Sequence, residues 1–220
     1  MKICFYVSRN ATRLKKFLSY SEENKSHLLE YVDCIVTDNI NDLELKNICS
    51  TIGVDCFFLD NSTFKKKNIM SSDYIYKLMN ERSVDYLFIY CDVILKGDLI
   101  RSFKNKIINF HPSLLPAYKG LMAIDQALDD GALLLGNSAH FVNAGIDTGP
   151  VIMQSIFHSE NYRDYNDVLD MQILMIVQII IWLRDSKIWV ENGRVSIKGA
   201  TYNVGSFMPN IERNYCFCAS

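Results

Sequence analysis

Residues 108–120 read INFHPSLLPAYKG, an apolar strand that runs into a loop with two prolines. On an extended backbone, residues two apart project from the same side, so Asn109 and His111 are predicted to project together. The two prolines restrict the backbone of the loop that follows. The stretch therefore predicts a strand that ends in an amide and an imidazole side by side.

Short apolar runs alternate with segments of helical periodicity on both sides of this stretch. The alternation is typical of a parallel sheet with helices on both faces, and we predict an α/β fold with a Rossmann-like, mostly parallel sheet. Strands are predicted at residues 2–8, 31–37, 55–59, 85–91, 106–110, 137–142 and 151–158. Helices are predicted at residues 11–20, 41–51, 72–83, 98–104, 122–130 and 166–187, followed by a hairpin at 189–197.

Length and charge limit the organisation and the partners. The chain has 220 residues, 49% of them hydrophobic, which suits one domain over residues 1–210 and a C-terminal tail over 211–220. The net charge is −2, so no strong positive field exists to hold a polyanion. Nucleic acid is therefore not expected as a partner.

Cysteine usage and the most apolar segment indicate the compartment. The seven cysteines lack metal-ligand spacing, which favours reduced thiols in a cytoplasmic protein with no metal. The close pair Cys216 and Cys218 is interpreted as incidental thiols in the tail. Residues 173–183 fall short of the ~20 apolar residues that span a bilayer. We predict a buried helix there, no membrane partner, and a contact that suits a homodimer.

Three polar residues follow predicted strands, where ligands collect in open α/β sheets. Asn109 and His111 end one strand, and Asp147 follows another. An amide and an imidazolium suit acyl transfer to an amine, because the tetrahedral oxyanion needs hydrogen-bond donors in place. Asp147 could accept the proton of the amine or keep His111 protonated. Taken singly, His111 could bond a backbone carbonyl and Asp147 could cap a turn.

Two motifs carry a family resemblance: NFHPSLLP at residues 109–116, and HFV at 140–142 with GIDTGPVIMQ at 145–154. Together they resemble the folate-dependent formyltransferases, in particular the glycinamide ribonucleotide type. The resemblance extends over the whole chain and is specific from residue 109 to 154. It implies the formyltransferase fold, 10-formyltetrahydrofolate as the co-substrate, and a catalytic triad of Asn109, His111 and Asp147.

The same resemblance places the folate pteridine between two loops that bind it largely through backbone groups. Glycinamide enzymes usually have arginine where this chain has Val93, and Lys67 roughly matches a basic residue that could contact the folate tail. His140 is interpreted either as a core histidine or as a supporting partner of the site. The implied pteridine-binding residues are Asp92, Val93, Ile94, Leu95, Asn143, Ala144, Gly145 and Ile146.

The chain departs from the resemblance after its first strand. Glycinamide ribonucleotide enzymes bind the substrate phosphate there with a Gly-x-Gly-Ser-Asn turn, but residues 9–13 here read RNATR. Without the glycines, the backbone is expected to adopt that positive-φ turn less readily. Arg9 and Arg13, with Asn10 and Thr12, are predicted to bind a phosphate or diphosphate instead. Gln172 also stands near the position of a substrate-contacting glutamate.

These departures favour a different primary amine as the acceptor, and we predict a nucleotide-linked amino sugar. One alternative is glycinamide ribonucleotide formyltransferase of purine biosynthesis. Another is a non-catalytic protein that binds folate or a nucleotide sugar. The transfer-RNA formylating and deformylase branches carry further domains that this chain is not expected to contain.

Overall fold

A computed structural model describes residues 1–24, 27–203 and 205–212. The chain divides into two compact units. The first contains residues 1–109 and 141–146, and the second contains residues 110–140 and the described residues from 147 onward. Cys216 and Cys218 lie outside the described residues, so their interpretation stays a prediction.

The first unit is built on parallel strands in the order β5-β4-β1-β2-β3. Every residue of β1 is buried, as expected for a strand covered on both faces. The order changes direction between β1 and β4, which makes a topological switch point of the kind where ligands bind. The strands are β1 (Ile3–Val7), β2 (Val32–Thr37), β3 (Asp55–Phe58), β4 (Tyr86–Tyr90) and β5 (Ile107–His111), whose last two residues belong to the second unit.

Helices connect these strands. Asp42 caps the second helix by accepting a hydrogen bond from the backbone N–H of Leu45 (3.0 Å), and Gly53 ends it at a φ of 71°. A short 3-10 helix, His27–Tyr31, precedes β2. The helices are α1 (Thr12–Glu23), α2 (Leu43–Ile52), α3 (Lys67–Arg82) and α4 (Asp98–Ser102).

The second unit contains antiparallel strands and a long helix. In sequence order its elements are α5 (Ala123–Asp129), β6 (Leu134–Phe141), β7 (Val151–His158), α6 (Tyr165–Arg184), β8 (Ile188–Glu191), β9 (Arg194–Ile197) and β10 (Phe207–Met208). Strand β7 pairs antiparallel with both β6 and β10, while β8 and β9 form a separate hairpin. The sheet strands of the chain are thus mostly parallel with an antiparallel part, which confirms the predicted α/β class.

Helix α6 is the apolar helix that the sequence predicted. It starts at a capping box formed by Asp164 and Asp167. Length and composition alone would let it cross a membrane, but 72% of its apolar window is buried inside the protein, as in a core helix. Glu212, in the predicted tail, accepts hydrogen bonds from Trp182 (3.1 Å) and Lys187 (2.7 Å). The predicted tail therefore begins with a residue bound to this helix and its C-terminal loop.

All the predicted strands, helices and the hairpin occur. Strand β7 has the predicted bounds, and most of the other elements have shifted ends. Helix α3 starts at Lys67 rather than at residue 72, so Lys67 is a helical residue and not part of a loop. Strand β6 starts at Leu134 rather than at residue 137. The two-residue strand β10 and the 3-10 helix before β2 were not predicted.

Candidate active site

The second unit brings together two histidines and an aspartate. His111 ends β5 with a side chain only 6% exposed, and its Nδ1 lies 3.5 Å from Asp147 Oδ2. Its Nε2 lies 2.7 Å from the carbonyl oxygen of Tyr118. Because a carbonyl only accepts hydrogen bonds, Nε2 carries a proton here. Both ring nitrogens of His111 thus face acceptors, an arrangement that the imidazolium satisfies fully.

Asp147 holds the centre of this cluster. Its side chain is 12% exposed, its Oδ1 lies 3.5 Å from Nε2 of His140, and its Oδ2 accepts a hydrogen bond from the Gly120 N–H at 2.9 Å. Burial alone would raise the pKa of Asp147. The hydrogen bonds from His140 and Gly120 and the charge of His111 outweigh burial and lower that pKa to about 2.

The lowered pKa of Asp147, about 2, bears on the two roles expected of this residue. A general base works best when its pKa lies near the operating pH, so this carboxylate is a weak proton acceptor. As a permanent negative charge it stabilises protonated imidazole beside it. The geometry therefore favours Asp147 as an electrostatic and orienting group.

Two polar side chains fix the loop that supplies the Tyr118 carbonyl and the Gly120 N–H. Ser138 Oγ donates to the carbonyl of Ser113 (2.7 Å) and accepts from the N–H of Leu115 (3.0 Å). Gln154 Nε2 donates to Ser138 Oγ (2.8 Å) and to the Leu115 carbonyl (3.1 Å). Sequence reasoning assigned no role to Ser138 and Gln154, although Gln154 ends the second motif.

The third residue of the predicted triad, Asn109, lies two residues before His111 on β5. It is half-buried, and it is paired with Ile89 of β4 in the parallel ladder. The described residues form no cluster of three or more His, Cys, Asp or Glu side chains suited to a metal ion.

In the first unit, the turn after β1 and the loop after β4 flank the topological switch point. Arg9 Nε lies 2.7 Å from Asp92 Oδ2, with 75% and 45% of the two side chains exposed. Ser8 donates its N–H to the Tyr90 carbonyl (3.1 Å), and its Oγ accepts from the Asp92 N–H (3.2 Å). The predicted substrate turn and one predicted folate loop are therefore directly bonded to each other.

The turn after β1 has positive φ although it lacks the glycines. Arg9 and Ala11 adopt φ values of 57° and 49°, so the turn has positive φ at two residues without any glycine. Arg13 does not point away as a free cation, because its guanidinium lies 4.5 Å from the centre of the Tyr90 ring. Asn10 and Thr12 are exposed.

The two predicted folate loops both belong to the first unit. Val93 and Leu95 are 4% and 5% exposed and pack in its core, whereas Ile94 is 47% exposed. In the other loop, Gly145 donates its N–H to Asn143 Oδ1 (3.0 Å), and Ile146 is 56% exposed. Val93 and Leu95 are thus core residues, and Ile94 and Ile146 are the exposed apolar residues of the two loops.

The structure also places Gln172 and Lys67, two residues considered as ligand contacts. Gln172 is fully buried in α6 and donates to Asn137 Oδ1, so it is a core residue rather than an accessible ligand contact. Lys67 is exposed at the start of α3.

The chain is similar to two kinds of known protein, formyltetrahydrofolate deformylases and glycinamide ribonucleotide formyltransferases. The curated relatives include the formyltetrahydrofolate deformylase of Escherichia coli K12, 38% identical over 76 residues, which cover 34% of this chain and 27% of that protein. Phosphoribosylglycinamide formyltransferase of Bacillus subtilis is 44% identical over 69 residues, which cover 31% of this chain and 35% of that protein. The matched stretch thus spans 27% and 35% of the length of these two relatives.

Solved structures match over most of the chain. Glycinamide ribonucleotide transformylase 1 from Symbiobacterium toebii superposes with a TM-score of 0.78 and 25% identity, covering 90% of this chain and 93% of that one. A formyltetrahydrofolate deformylase from Pseudomonas syringae shares the fold, with a TM-score of 0.71 and 18% identity over 89% of this chain and 65% of that one. Residues 1–171 match the formyl transferase family. Because that match covers well over half of the chain, the protein belongs to the formyl transferase family.

Proposed function

We propose that this protein is an enzyme that transfers a formyl group from 10-formyltetrahydrofolate to the primary amine of a phosphorylated small molecule. The observation that carries the proposal is the Asp147 carboxylate, which lies between His111 and His140 and has a pKa of about 2. Membership of the formyl transferase family supplies the reaction class.

In the proposed reaction, the amine nitrogen attacks the formyl carbon and the carbonyl electron pair moves to oxygen. Collapse of this intermediate breaks the bond to N10 of the folate, and the proton that the amine loses is gained by N10. His111 donates Nε2–H to the developing oxyanion in place of the Tyr118 carbonyl, whose hydrogen bond to Nε2–H is broken. Asn109, two residues earlier on the same strand, supplies the amide donor. Asp147 keeps His111 charged and oriented.

The pteridine of the co-substrate is assigned to the loops at residues 92–95 and 143–146. Asp92, Ile94 and residues 143–146 are exposed and support this assignment, whereas Val93 and Leu95 are buried in the core. Ile94 and Ile146, both largely exposed, offer apolar contact to a flat ring. No metal is required in this scheme.

For the acceptor, we favour a nucleotide-linked amino sugar over glycinamide ribonucleotide. The support is the turn at residues 9–13, where arginine replaces glycine and the Arg9–Asp92 pair is exposed. Exposed ion pairs contribute only about 0–1 kcal/mol to stability, so a phosphate can replace Asp92 as the ion-pair partner of Arg9. Relatives named for glycinamide ribonucleotide and for formyltetrahydrofolate deformylation keep both of those activities as alternatives.

The mechanism is tested by Asp147→Asn. We expect kcat to fall by at least ~10²-fold, because the charge that holds His111 is lost. Binding of a non-reactive folate analogue and the circular dichroism spectrum should be retained. Asp129→Asn, at the exposed end of α5, is the matched control and should turn over normally. Near-normal turnover of Asp147→Asn would remove the proposed mechanism.

The acceptor is tested by a direct assay with nucleotide-linked amino sugars, with glycinamide ribonucleotide and with no amine. Formylation of an amino sugar supports the favoured acceptor, and formylation of glycinamide ribonucleotide replaces it. Release of formate without any amine would identify a deformylase. Folate binding without transfer to any amine or water would support the non-catalytic alternative.

The domain organisation, location, oligomeric state and partners of the enzyme stay predictions. A single catalytic domain over residues 1–210, a cytoplasmic location, a homodimer, and the absence of nucleic-acid and membrane partners are all inferred from composition and pattern.

A further inference from the structure

Asp38, which follows β2 directly, is held by three side chains of the first unit. Its Oδ2 accepts hydrogen bonds from Ser8 Oγ (2.7 Å), Asn61 Nδ2 (3.1 Å) and the Tyr6 hydroxyl (3.3 Å). Tyr6, Ser8 and Asn61 are all buried, and Asp38 itself is half-buried. Side chains from β1, the turn after β1 and the loop after β3 thus fix the orientation of one carboxylate. We call these four residues the Asp38 cluster.

The two oxygens of Asp38 are used unequally. All three donors reach Oδ2, and no residue in the described ranges donates a hydrogen bond to Oδ1. A carboxylate that served only to satisfy buried donors could use both oxygens. Here one oxygen fixes the orientation, and the other remains an acceptor. Burial raises the pKa of Tyr6 well above its usual range, so its hydroxyl stays a donor in this arrangement.

The position of Asp38 suggests what Oδ1 accepts. Strands β1 to β4 are parallel, so Ser8 after β1, Asp38 after β2 and Asp92 after β4 lie at one edge of the sheet. Ser8 bonds both Asp38 and the N–H of Asp92, which pairs with Arg9. In Rossmann-like sheets, an acidic side chain after the second strand accepts hydrogen bonds from ribose hydroxyls, and phosphate sits at the turn after the first.

We propose that Asp38 is a ligand-binding residue whose Oδ1 accepts hydrogen bonds from the hydroxyls of a ribose that carries a 5′-phosphate. This inference rests on the proposed function in that the ribose phosphate is part of the formyl acceptor. A ribose phosphate occurs both in a ribonucleotide-linked sugar and in glycinamide ribonucleotide. The chemistry recognised by Asp38 is the same for the two sources.

The experiment compares ligands that differ by one hydroxyl. Calorimetry measures binding of UDP against 2′-deoxy-UDP, and of ribose 5-phosphate against 2-deoxyribose 5-phosphate. Wild type should bind the ribo form about tenfold more tightly in at least one pair, because the hydrogen bond is made to a charged group. Asp38→Asn should bring that ratio close to one. Asp73→Asn, an exposed carboxylate on α3, is the matched control and should keep the wild-type ratio.

The outcomes separate the sources and the hypotheses. A ratio seen with UDP supports a nucleotide-linked acceptor, and a ratio seen only with ribose 5-phosphate supports the glycinamide ribonucleotide type. Equal binding of ribo and deoxy forms by wild type, or an unchanged ratio in Asp38→Asn, overturns the inference. If Asp38→Asn does not fold, Ser8→Ala replaces it, because the shortest of the three bonds is lost, and a wild-type ratio there overturns the inference.

Failure of the proposed function is read out separately. Formyl transfer by wild type is assayed with the amine panel, whereas the ribose preference is a binding ratio that needs no turnover. An active enzyme without ribose preference overturns the role of Asp38 alone. A protein with ribose preference but no transfer or hydrolysis overturns the proposed function alone.

Discussion

Asp38 and Asp147 are two partly buried carboxylates held by hydrogen-bond donors, and they differ in the kind of donor. Asp147 receives the imidazoles of His111 and His140 and a backbone N–H, and it uses both of its oxygens. Asp38 receives two hydroxyls and an amide, all on one oxygen. One carboxylate is enclosed by titratable groups, and the other is held from one side by neutral groups.

The difference indicates how each carboxylate acts. The two imidazoles and the Gly120 N–H lower the pKa of Asp147 to about 2, so we expect Asp147 to act on its histidines as a fixed charge. Neutral donors at a single oxygen leave the second oxygen of Asp38 for a ligand. Hydrogen bonding therefore favours an electrostatic role for Asp147 in the second unit and a ligand-binding role for Asp38 in the first.

The largest expected effect disrupts the strand that supports Asp147, His111 and His140, which we call the Asp147 cluster. A Cβ at Gly136, on the strand that carries Ser138 and His140, would lie 2.1 Å from the backbone oxygen of Ser155. Because backbone cannot move aside cheaply, Gly136→Ala should lower the free energy of unfolding by roughly 3 kcal/mol or more. Urea denaturation followed by circular dichroism measures it.

The control for this prediction is Gly131→Ala. A Cβ at Gly131 meets nothing within 4 Å, but its φ is +68°, so only backbone strain of roughly 1 kcal/mol is expected. Equal losses for the two substitutions would contradict the close approach at Gly136.

The pH dependence of stability tests the electrostatic role of Asp147. The pKa of Asp147 is about 2 when folded against an ordinary 3.8, so its contribution is complete above about pH 4 and is lost as pH falls toward about 2. Wild type should exceed Asp147→Asn by about 2 kcal/mol in unfolding free energy at pH 7. That difference should shrink between pH 4 and pH 2, as measured by urea denaturation. A difference that stays constant over this range would argue against the lowered pKa.

The sequence predicted the helices and strands and the polar residues Asn109 and His111 at the end of β5, because both depend on local pattern. The buried run of β1 and the alternation around Asn109 and His111 are readable from a few neighbouring letters. The partners of His111 and Asp147 are not, since the Tyr118 carbonyl and the Gly120 N–H are backbone groups placed by a loop. The pKa of Asp147 depends on those partners, so its electrostatic role was not distinguishable from proton transfer.

The Asp38 cluster was missed for another reason. Its members follow or precede strand ends that are far apart in sequence, and no spacing rule connects Ser8, Asp38 and Asn61. At residues 9–13 positive φ was expected to be adopted less readily without glycine, yet Arg9 and Ala11 both adopt it. A non-glycine residue in that region costs about 1–2 kcal/mol, which the surrounding fold can supply.

Removing one neutral donor tests how firmly Asp38 is held. Tyr6→Phe deletes a hydroxyl that donates to Asp38 at 3.3 Å and accepts from Asn61 at 3.4 Å. Since both contacts are long and Asp38 keeps two other donors, we expect a loss of about 1 kcal/mol in unfolding free energy. Tyr86→Phe, a half-buried tyrosine of β4, is the control. A loss above that of Gly136→Ala would show that the Asp38 cluster is as tightly constrained as the Asp147 cluster.

The smallest expected effect concerns Ala11, which ends the turn beside the Asp38 cluster with a φ of 49° and is 7% exposed. Ala11→Gly relieves backbone strain but removes a buried methyl and loosens the unfolded chain. These terms are each about 1 kcal/mol, so the net change should stay within about 0.5 kcal/mol. Ala127→Gly, at a buried helical position in α5, has no strain to relieve and should lose about 1–2 kcal/mol. Equal losses at the two alanines in urea denaturation would mean that Ala11 carries no strain, and that the turn does not hold its positive φ against a cost.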